Sequence, residues 1–248
     1  MKSCRKSYFC TIDIDMSAKN KLQRFAENET FPNVIQPQFD EIFQKDYSLK
    51  NRWNVEFWKN QNPIVLELGC GKGEYTVALA ERFREKNYIG IDIKGARFWR
   101  GAKTAIEKGF SNVAFVRTRI EFIDSFFGNN EVDEIWITFP DPQLSERRAK
   151  KRLTSPRFLN MYIGMLKPDA VVNLKTDSKE LFEYTKSLLE YNKQEIIMAT
   201  DNLYESPYCD DVLSIKTHYE SYYLTQGKPI TYIKFRLNGT IVDLPDND

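Results

Sequence analysis

Short apolar runs alternate with stretches of helical spacing along most of the chain. Apolar runs at 64–67 and 88–92 predict buried strands, and the helical spacing of 74–83 and 96–108 predicts a helix after each. Further strands are predicted at 113–117, 134–139, 170–176, 195–199 and 230–235, and further helices at 157–165 and 179–191. This alternation predicts an α/β fold: a mostly parallel, seven-stranded sheet with helices on both faces and a ligand site beyond the carboxyl ends of the strands.

The first sixty residues are less regular. We expect residues 1–60 to form an N-terminal extension that packs on or near the active site, residues 61–238 to form the main domain, and residues 239–248 to form a C-terminal tail. The extension is rich in aromatic side chains, which we interpret as packing groups in preference to a platform for substrate. They are Phe39, Phe43, Trp53, Phe57 and Trp58.

Composition narrows the functional class. With 42% hydrophobic and 29% charged residues, the 248-residue chain is typical of one globular domain. No apolar run approaches the roughly 18 residues that span a membrane, so we expect no membrane segment and a cytoplasmic protein. Four cysteines without a CxxC pair, and the single His218, lack a zinc pattern, so we expect no metal.

The net charge is only +1, but five of the six residues 147–152 are basic, which indicates a local anionic partner.

The sequence VLELGCGKGEY, residues 65–75, places a GxGxG turn between a strand and a helix. Gly69 and Gly71 permit positive φ and a close approach to a ligand, and Gly73 relieves crowding at the start of the helix. The lysine of this turn is not followed by Ser or Thr, which disfavours a P-loop. Taken alone, the pattern is also compatible with a simple turn.

Two carboxylates make the glycine turn more specific. Asp92 ends the next strand, where it can accept both hydroxyl groups of a ribose. Glu67 lies beside the glycines, where it would repel a pyrophosphate but suits the cationic amino-acid end of S-adenosylmethionine. The combination predicts S-adenosylmethionine as the cofactor.

The stretch ITFPDPQLSERRAKKRL, residues 137–153, is similar to the motif of the bacterial tRNA (guanine-N7)-methyltransferase family. KTD at 175–177, THYE at 217–220 and a last strand ITYIKF follow in the order of that family. The resemblance implies a Rossmann-like class I S-adenosylmethionine-dependent methyltransferase. It further implies tRNA as partner, N7 of a variable-loop guanine as methyl acceptor, and a monomer or homodimer.

The resemblance also implies roles for individual residues. The resemblance implies cofactor contacts for Glu67, the three glycines and Asp92. It also implies them for Asn112 and Glu121. Asp141 falls in the active centre. Contacts to the guanine and to the RNA are implied for Asp177, Thr217, Glu220, Arg147, Arg148 and Lys150. The chain departs from the family at Gln143 and Leu144, where a tryptophan and a histidine are usual, and at Arg119, where an aspartate is usual.

The chemistry of N7 methylation agrees with this set of residues. Guanine N7 is a neutral, exposed lone pair, so the reaction needs alignment with the sulfonium methyl group more than a general base. Positive charge develops on the purine, and Asp141, held between two prolines, or Asp177 would stabilise it. Simpler roles remain open, since either aspartate could cap a helix and the basic run could be a solvated face. So do two other functions: methylation of a protein or small molecule, and RNA binding without catalysis.

Overall fold

The computed structural model describes residues 10–245, with their side chains except those of residues 10–19, 218 and 219. One sheet contains eight strands in the order β1-β4-β3-β2-β5-β6-β8-β7, in which only β8 runs antiparallel to its neighbours. The strands are β1 (Val34–Ile35), β2 (Ile64–Leu68), β3 (Asn87–Ile91), β4 (Val113–Val116), β5 (Val132–Thr138), β6 (Leu166–Thr176), β7 (Ile196–Thr200) and β8 (Thr231–Phe235). The predicted α/β fold is confirmed, with β1 as an additional strand.

Helices cover both faces of the sheet. The described α-helices are α1 (Cys10–Thr30), α2 (Phe39–Ile42), α3 (Glu74–Arg82), α4 (Gly95–Glu107), α5 (Pro156–Ile163), α6 (Lys179–Tyr191) and α7 (His218–Thr225). Shorter helical turns occupy Trp53–Trp58, Ile120–Ser125, Glu146–Lys151 and Leu203–Glu205. None of the helices in the described part of the chain is long and apolar enough to cross a membrane.

The core lies on both sides of the central strands. All residues of β2 and β3 are buried, as expected for parallel strands that are covered on both faces. One side of the sheet packs against α5, α6 and the N-terminal segment through residues such as Leu66 and Phe158. The other packs against α3, α4 and the segment 203–215 through residues such as Tyr75 and Phe98.

The N-terminal segment is attached to the edge of the sheet. Asn28 Nδ2 donates to the Gly95 carbonyl over 2.9 Å, which joins α1 to α4, and β1 pairs in parallel with β4. Trp53 is fully buried, and its Nε1 donates to the Phe126 carbonyl over 2.9 Å.

The aromatic residues of this segment divide into two groups. Trp53, Phe57 and Trp58 pack on the core, as expected. Phe39 and Phe43 are instead 58% and 45% exposed; they stack on each other with ring centroids 4.9 Å apart and pack edge-on against Phe122, so they pack at the surface and not in the core. Their helix α2 has only four residues, which is too short to bury a full apolar face.

Candidate active site

A small cleft of about 100 Å³ opens at the carboxyl ends of β2, β3 and β5. Its lining brings together residues that are far apart in the sequence, because parallel strands end at the same edge of the sheet. Among them are Glu67, Gly69, Gly71, Asp92, Phe139 and Thr217.

The glycine turn adopts the left-handed conformation expected from its sequence. Gly69, Gly71 and Gly73 have φ values of 76°, 57° and 72°. A Cβ at Gly73 would lie 2.5 Å from the buried ring of Phe115, so this position requires glycine for space as well as for φ. The backbone of the turn therefore lies exposed to a ligand on the cleft side while its other side packs tightly on β4.

Glu67 is a buried carboxylate inside an otherwise apolar strand, with 4% of its surface exposed. Its Oε2 accepts hydrogen bonds from the backbone N (2.8 Å) and the hydroxyl of Thr76, and its Oε1 accepts one from the Thr138 hydroxyl (2.6 Å). Burial raises its pKa to about 7, against the opposing effect of these hydrogen bonds. Nearby Asp92 raises it further. A cationic ligand would stabilise the charged form of such a buried carboxyl group.

Asp92 is half-buried and is oriented by the backbone around it. Its Oδ2 accepts a hydrogen bond from the Gly71 N–H (3.0 Å), and its Oδ1 accepts one from the Lys94 N–H (2.7 Å). The first of these bonds joins the end of β3 to the glycine turn after β2. The carboxylate is thus fixed at the cleft before any ligand arrives.

A second cavity, of about 460 Å³, is lined in part by Ile93, the residue that follows Asp92 in the chain. Ile93, Thr118, Arg119 and Phe122 line it from the main domain, and Pro37 and Phe39 line it from the N-terminal segment. Arg119, which stands where the family usually has an aspartate, therefore lies on the wall of this cavity.

Two other residues that the resemblance implies for cofactor binding, Asn112 and Glu121, do not line the cleft. Asn112 is buried just before β4, at the opposite end of the sheet from the cleft, where its Nδ2 donates to the carbonyls of Ala80, Phe83 and Lys86. Glu121 lies in the turn Ile120–Ser125 and lines neither cavity. The structure therefore removes Asn112 from the candidate cofactor site, and the role of Glu121 stays a prediction.

The loop after β5 is held in an unusual conformation. Phe139 and Gln143, on either side of the Pro-Asp-Pro sequence, have positive φ values of 48° and 46°. The Phe139 N–H donates to the Lys175 carbonyl (2.8 Å), and the Gln143 N–H donates to Asp141 Oδ1 (3.1 Å). Asp141 itself is exposed, two residues beyond the cleft wall. The left-handed residues, in addition to the prolines, restrict its position.

Of Thr217 and Asp177, only Thr217 lines the cleft. Thr217 is the N-cap of α7, where its hydroxyl accepts from the Glu220 N–H over 3.2 Å, and it lines the cleft. Asp177 follows β6 and is half-buried, with its Oδ2 3.9 Å from Lys228 Nζ. Their contact with a substrate stays a prediction.

The structure corrects the role expected for Glu220. Its side chain is completely buried and forms an ion pair with Lys175, 2.7 Å between Oε1 and Nζ. The hydroxyl of Tyr204 donates to the same oxygen, and Oε2 accepts from the Thr217 N–H over 3.2 Å. Because both oxygens are engaged inside the protein, Glu220 cannot contact RNA directly in this arrangement.

The basic run after the Pro-Asp-Pro loop divides into two parts. Arg147, Arg148 and Lys150 lie in the turn Glu146–Lys151, are exposed, and form no ion pair with any other described side chain. Arg152 turns inward, where its guanidinium lies 4.3 Å from the ring centroid of Tyr184 and its Nε donates to the Gln143 carbonyl. Lys151 is also exposed, so four basic side chains of this run face solvent.

Sequence reasoning missed several residues of the site. Thr76 and Thr138 hold Glu67, and Lys175 holds Glu220. Thr138 immediately precedes Phe139, so its proximity to Glu67 follows only once β5 is known to pair with β2. Within the described part of the chain, no group of His, Cys, Asp and Glu side chains could hold a metal ion.

Comparisons with known proteins give a consistent result. A family described as putative methyltransferase matches residues 61–233. A tRNA (guanine-N(7)-)-methyltransferase of Christiangramia forsetii is 56% identical over 90% of this chain and all of its own length. One of Bacteroides thetaiotaomicron is 49% identical over 88% of this chain and 86% of its own. A solved antibiotic-related methyltransferase covers 79% of this chain and 97% of its own with a TM-score of 0.56, and at 22% identity it supports the fold alone.

Proposed function

The chain belongs to the tRNA (guanine-N(7)-)-methyltransferase family, and we propose that it transfers a methyl group from S-adenosylmethionine to N7 of a guanine in tRNA. One observation supports this function most directly. The buried Glu67 and the oriented Asp92 flank a left-handed glycine turn in the cleft that Phe139 and Thr217 also line.

The residues present fit S-adenosylmethionine. Glu67 would face its cationic amino-acid end, since a buried carboxylate with a raised pKa gains from a nearby positive charge. Asp92 would accept the ribose hydroxyls with the lone pairs that its two backbone donors leave free. The cleft alone is smaller than typical ligand pockets of about 300–1,000 Å³, so the adjoining cavity beside Ile93 would take the base.

When bound, S-adenosylmethionine supplies an electrophilic methyl group on a sulfonium. The protein residues then align guanine N7 with that methyl group and stabilise the charge that develops on the purine. Asp141 and Asp177 follow neighbouring strands β5 and β6, so both carboxylates lie at the edge that the guanine would occupy. No described residue needs to remove a proton from N7, because N7 carries none.

The substrate is placed by the exposed basic side chains next to this site. Arg147, Arg148 and Lys150 lie five to eight residues after the Pro-Asp-Pro sequence and are free to bind phosphates. Structured RNA is recognised largely through such backbone contacts and through bases that leave the stack. We place the acceptor in the variable loop, as the family resemblance implies.

The test is a direct product analysis. The protein is incubated with unmodified tRNA and S-adenosylmethionine, the RNA is digested to nucleosides, and these are identified by mass spectrometry. We expect 7-methylguanosine, and its loss when the variable-loop guanine is replaced by adenine. A different methylated nucleoside, or methyl transfer only to protein or small molecules, would exclude the function. The Asp92→Ala variant provides a control with weakened cofactor binding, which should form less product when S-adenosylmethionine is limiting.

A further inference from the structure

Lys175 is a fully buried lysine at the end of β6, with three partners for its three ammonium protons. Its Nζ donates to the carbonyls of Leu213 (2.7 Å) and Ile215 (3.0 Å) and pairs with Glu220 at 2.7 Å. The backbone carbonyl of the same residue accepts from the Phe139 N–H over 2.8 Å. Lys175 therefore contacts the loop 139–143, called the catalytic loop here because it carries Asp141, with its main chain, and the segment before α7 with its side chain.

The segment 203–217 has few other attachments near its end. Leu213 and Ile215 insert into the core above the sheet, and the Tyr75 hydroxyl donates to the Val212 carbonyl over 3.2 Å. Beyond Ile215, Thr217 enters the cleft as the N-cap of α7. The position of Thr217 thus depends on Lys175 on one side and on the capping contacts with Glu220 on the other.

Stability alone gives little reason for a charged pair at this place. Two ions removed from water lose much of their solvation, and a buried pair can often be replaced by uncharged side chains at no net cost. A buried pair does, however, select one arrangement of the segments it joins, because any other arrangement leaves an unpaired charge in the core.

We propose that Lys175, through its pair with Glu220, is a positioning residue that holds Thr217 and Asp177 in register with the catalytic loop for the incoming guanine. This inference rests on the proposed function. It assigns Glu220 an internal role and leaves the contacts with RNA to Thr217 and Asp177. The effect should fall mainly on use of tRNA, because Thr217 lines the cleft but the Glu67 and Asp92 contacts do not involve Lys175.

The experiment uses the double variant Lys175→Met/Glu220→Gln of the full chain. It leaves no unpaired charge in the core, and glutamine can still accept from the Thr217 N–H in the capping box. We expect a dissociation constant for S-adenosylmethionine within about twofold of wild type. We expect kcat/KM for tRNA to fall about tenfold to a hundredfold, the range that a shift of about 1 Å in a reacting group produces. Amide hydrogen exchange of residues 212–217 should become faster.

The wild type is assayed in parallel. If it does not methylate tRNA, the proposed function fails. If it does, and a folded double variant retains kcat/KM within about twofold or unchanged exchange at 212–217, the positioning role is overturned while the function stands. If the double variant does not fold, Tyr204→Phe decides, since it removes one hydrogen bond to Glu220 and keeps both charges. A several-fold loss of kcat/KM with unchanged cofactor affinity supports the proposal, and unaltered kcat/KM overturns it.

Discussion

Affinity for S-adenosylmethionine should depend on the ionisation of Glu67. This carboxyl group is buried and its pKa is raised to about 7, chiefly because burial disfavours the charged form. A cationic ligand binds the ionised form, so protonation competes with binding. Affinity should therefore be lost as the pH falls through about 7.

The structure sets the size of this effect. With a pKa of about 7 in the free protein, about nine-tenths of Glu67 is protonated at pH 6 and about a quarter at pH 7.5. If only the ionised form binds, the dissociation constant should be roughly eightfold larger at pH 6 than at pH 7.5, or about 1.2 kcal/mol. An α-amino group of ordinary pKa, about 7.7–8.0, is fully protonated at pH 6 but only about 60–75% protonated at pH 7.5, which lowers the expected ratio to roughly five- to sixfold.

Isothermal titration calorimetry at these two pH values measures the effect. Titration at pH 6 in buffers with different ionisation enthalpies should also show the release of about 0.9 proton on binding. The matched control is Glu67→Gln, which keeps the size of the side chain but has no titrating group, and which should bind weakly with no dependence on pH. Equal affinity at both pH values in the wild type, or the same pH dependence in Glu67→Gln, would refute the reasoning.

Three further substitutions test the remaining parts of the site. Asp92→Ala should weaken cofactor binding by about 1.5–3 kcal/mol, the value of hydrogen bonds to a charged group, and unchanged affinity in calorimetry would exclude the ribose contact. Asp141→Asn should lower kcat more than it weakens tRNA binding, and equal losses in both would make Asp141 a binding residue. Neutralising Arg147, Arg148 and Lys150 together should make the slope of log tRNA affinity against log salt concentration shallower, by the amount that up to about three phosphate contacts contribute. An unchanged slope would mean that these side chains remain in solvent.

Periodicity predicted the elements that are long and regular. The seven strands of the main domain and helices α3 to α6 lie within a few residues of their expected positions. β1 has only two residues, too few to show any alternation, and it forms because it pairs with β4. Helix α7 begins with the capping box Thr217-x-x-Glu220, a local signal that was present in the sequence but was assigned to substrate binding instead.

The site was predictable where one short segment carries the chemistry. Gly69, Gly71 and Gly73 are required by the local backbone, and Asp92 follows from the spacing to the next strand. The burial of Glu220 was not predictable, because its partner Lys175 is 45 residues away and reaches it only through the pairing of β6 with β8 and the path of 203–217. Likewise, the sequence does not show that Arg152 turns away from its basic neighbours to stack on Tyr184.

The attachment of β1 to β4 bears on how the protein can be shortened. The family match begins at residue 61, yet a chain cut there would lose both the two-residue strand and Trp53. The hydrogen-bonding edge of β4 would then be open, and an uncovered, apolar edge strand is a template for pairing with another molecule. Such a fragment should aggregate even though it contains every residue that lines the cleft beside Glu67, so we expect the N-terminal segment to protect the solubility of the domain.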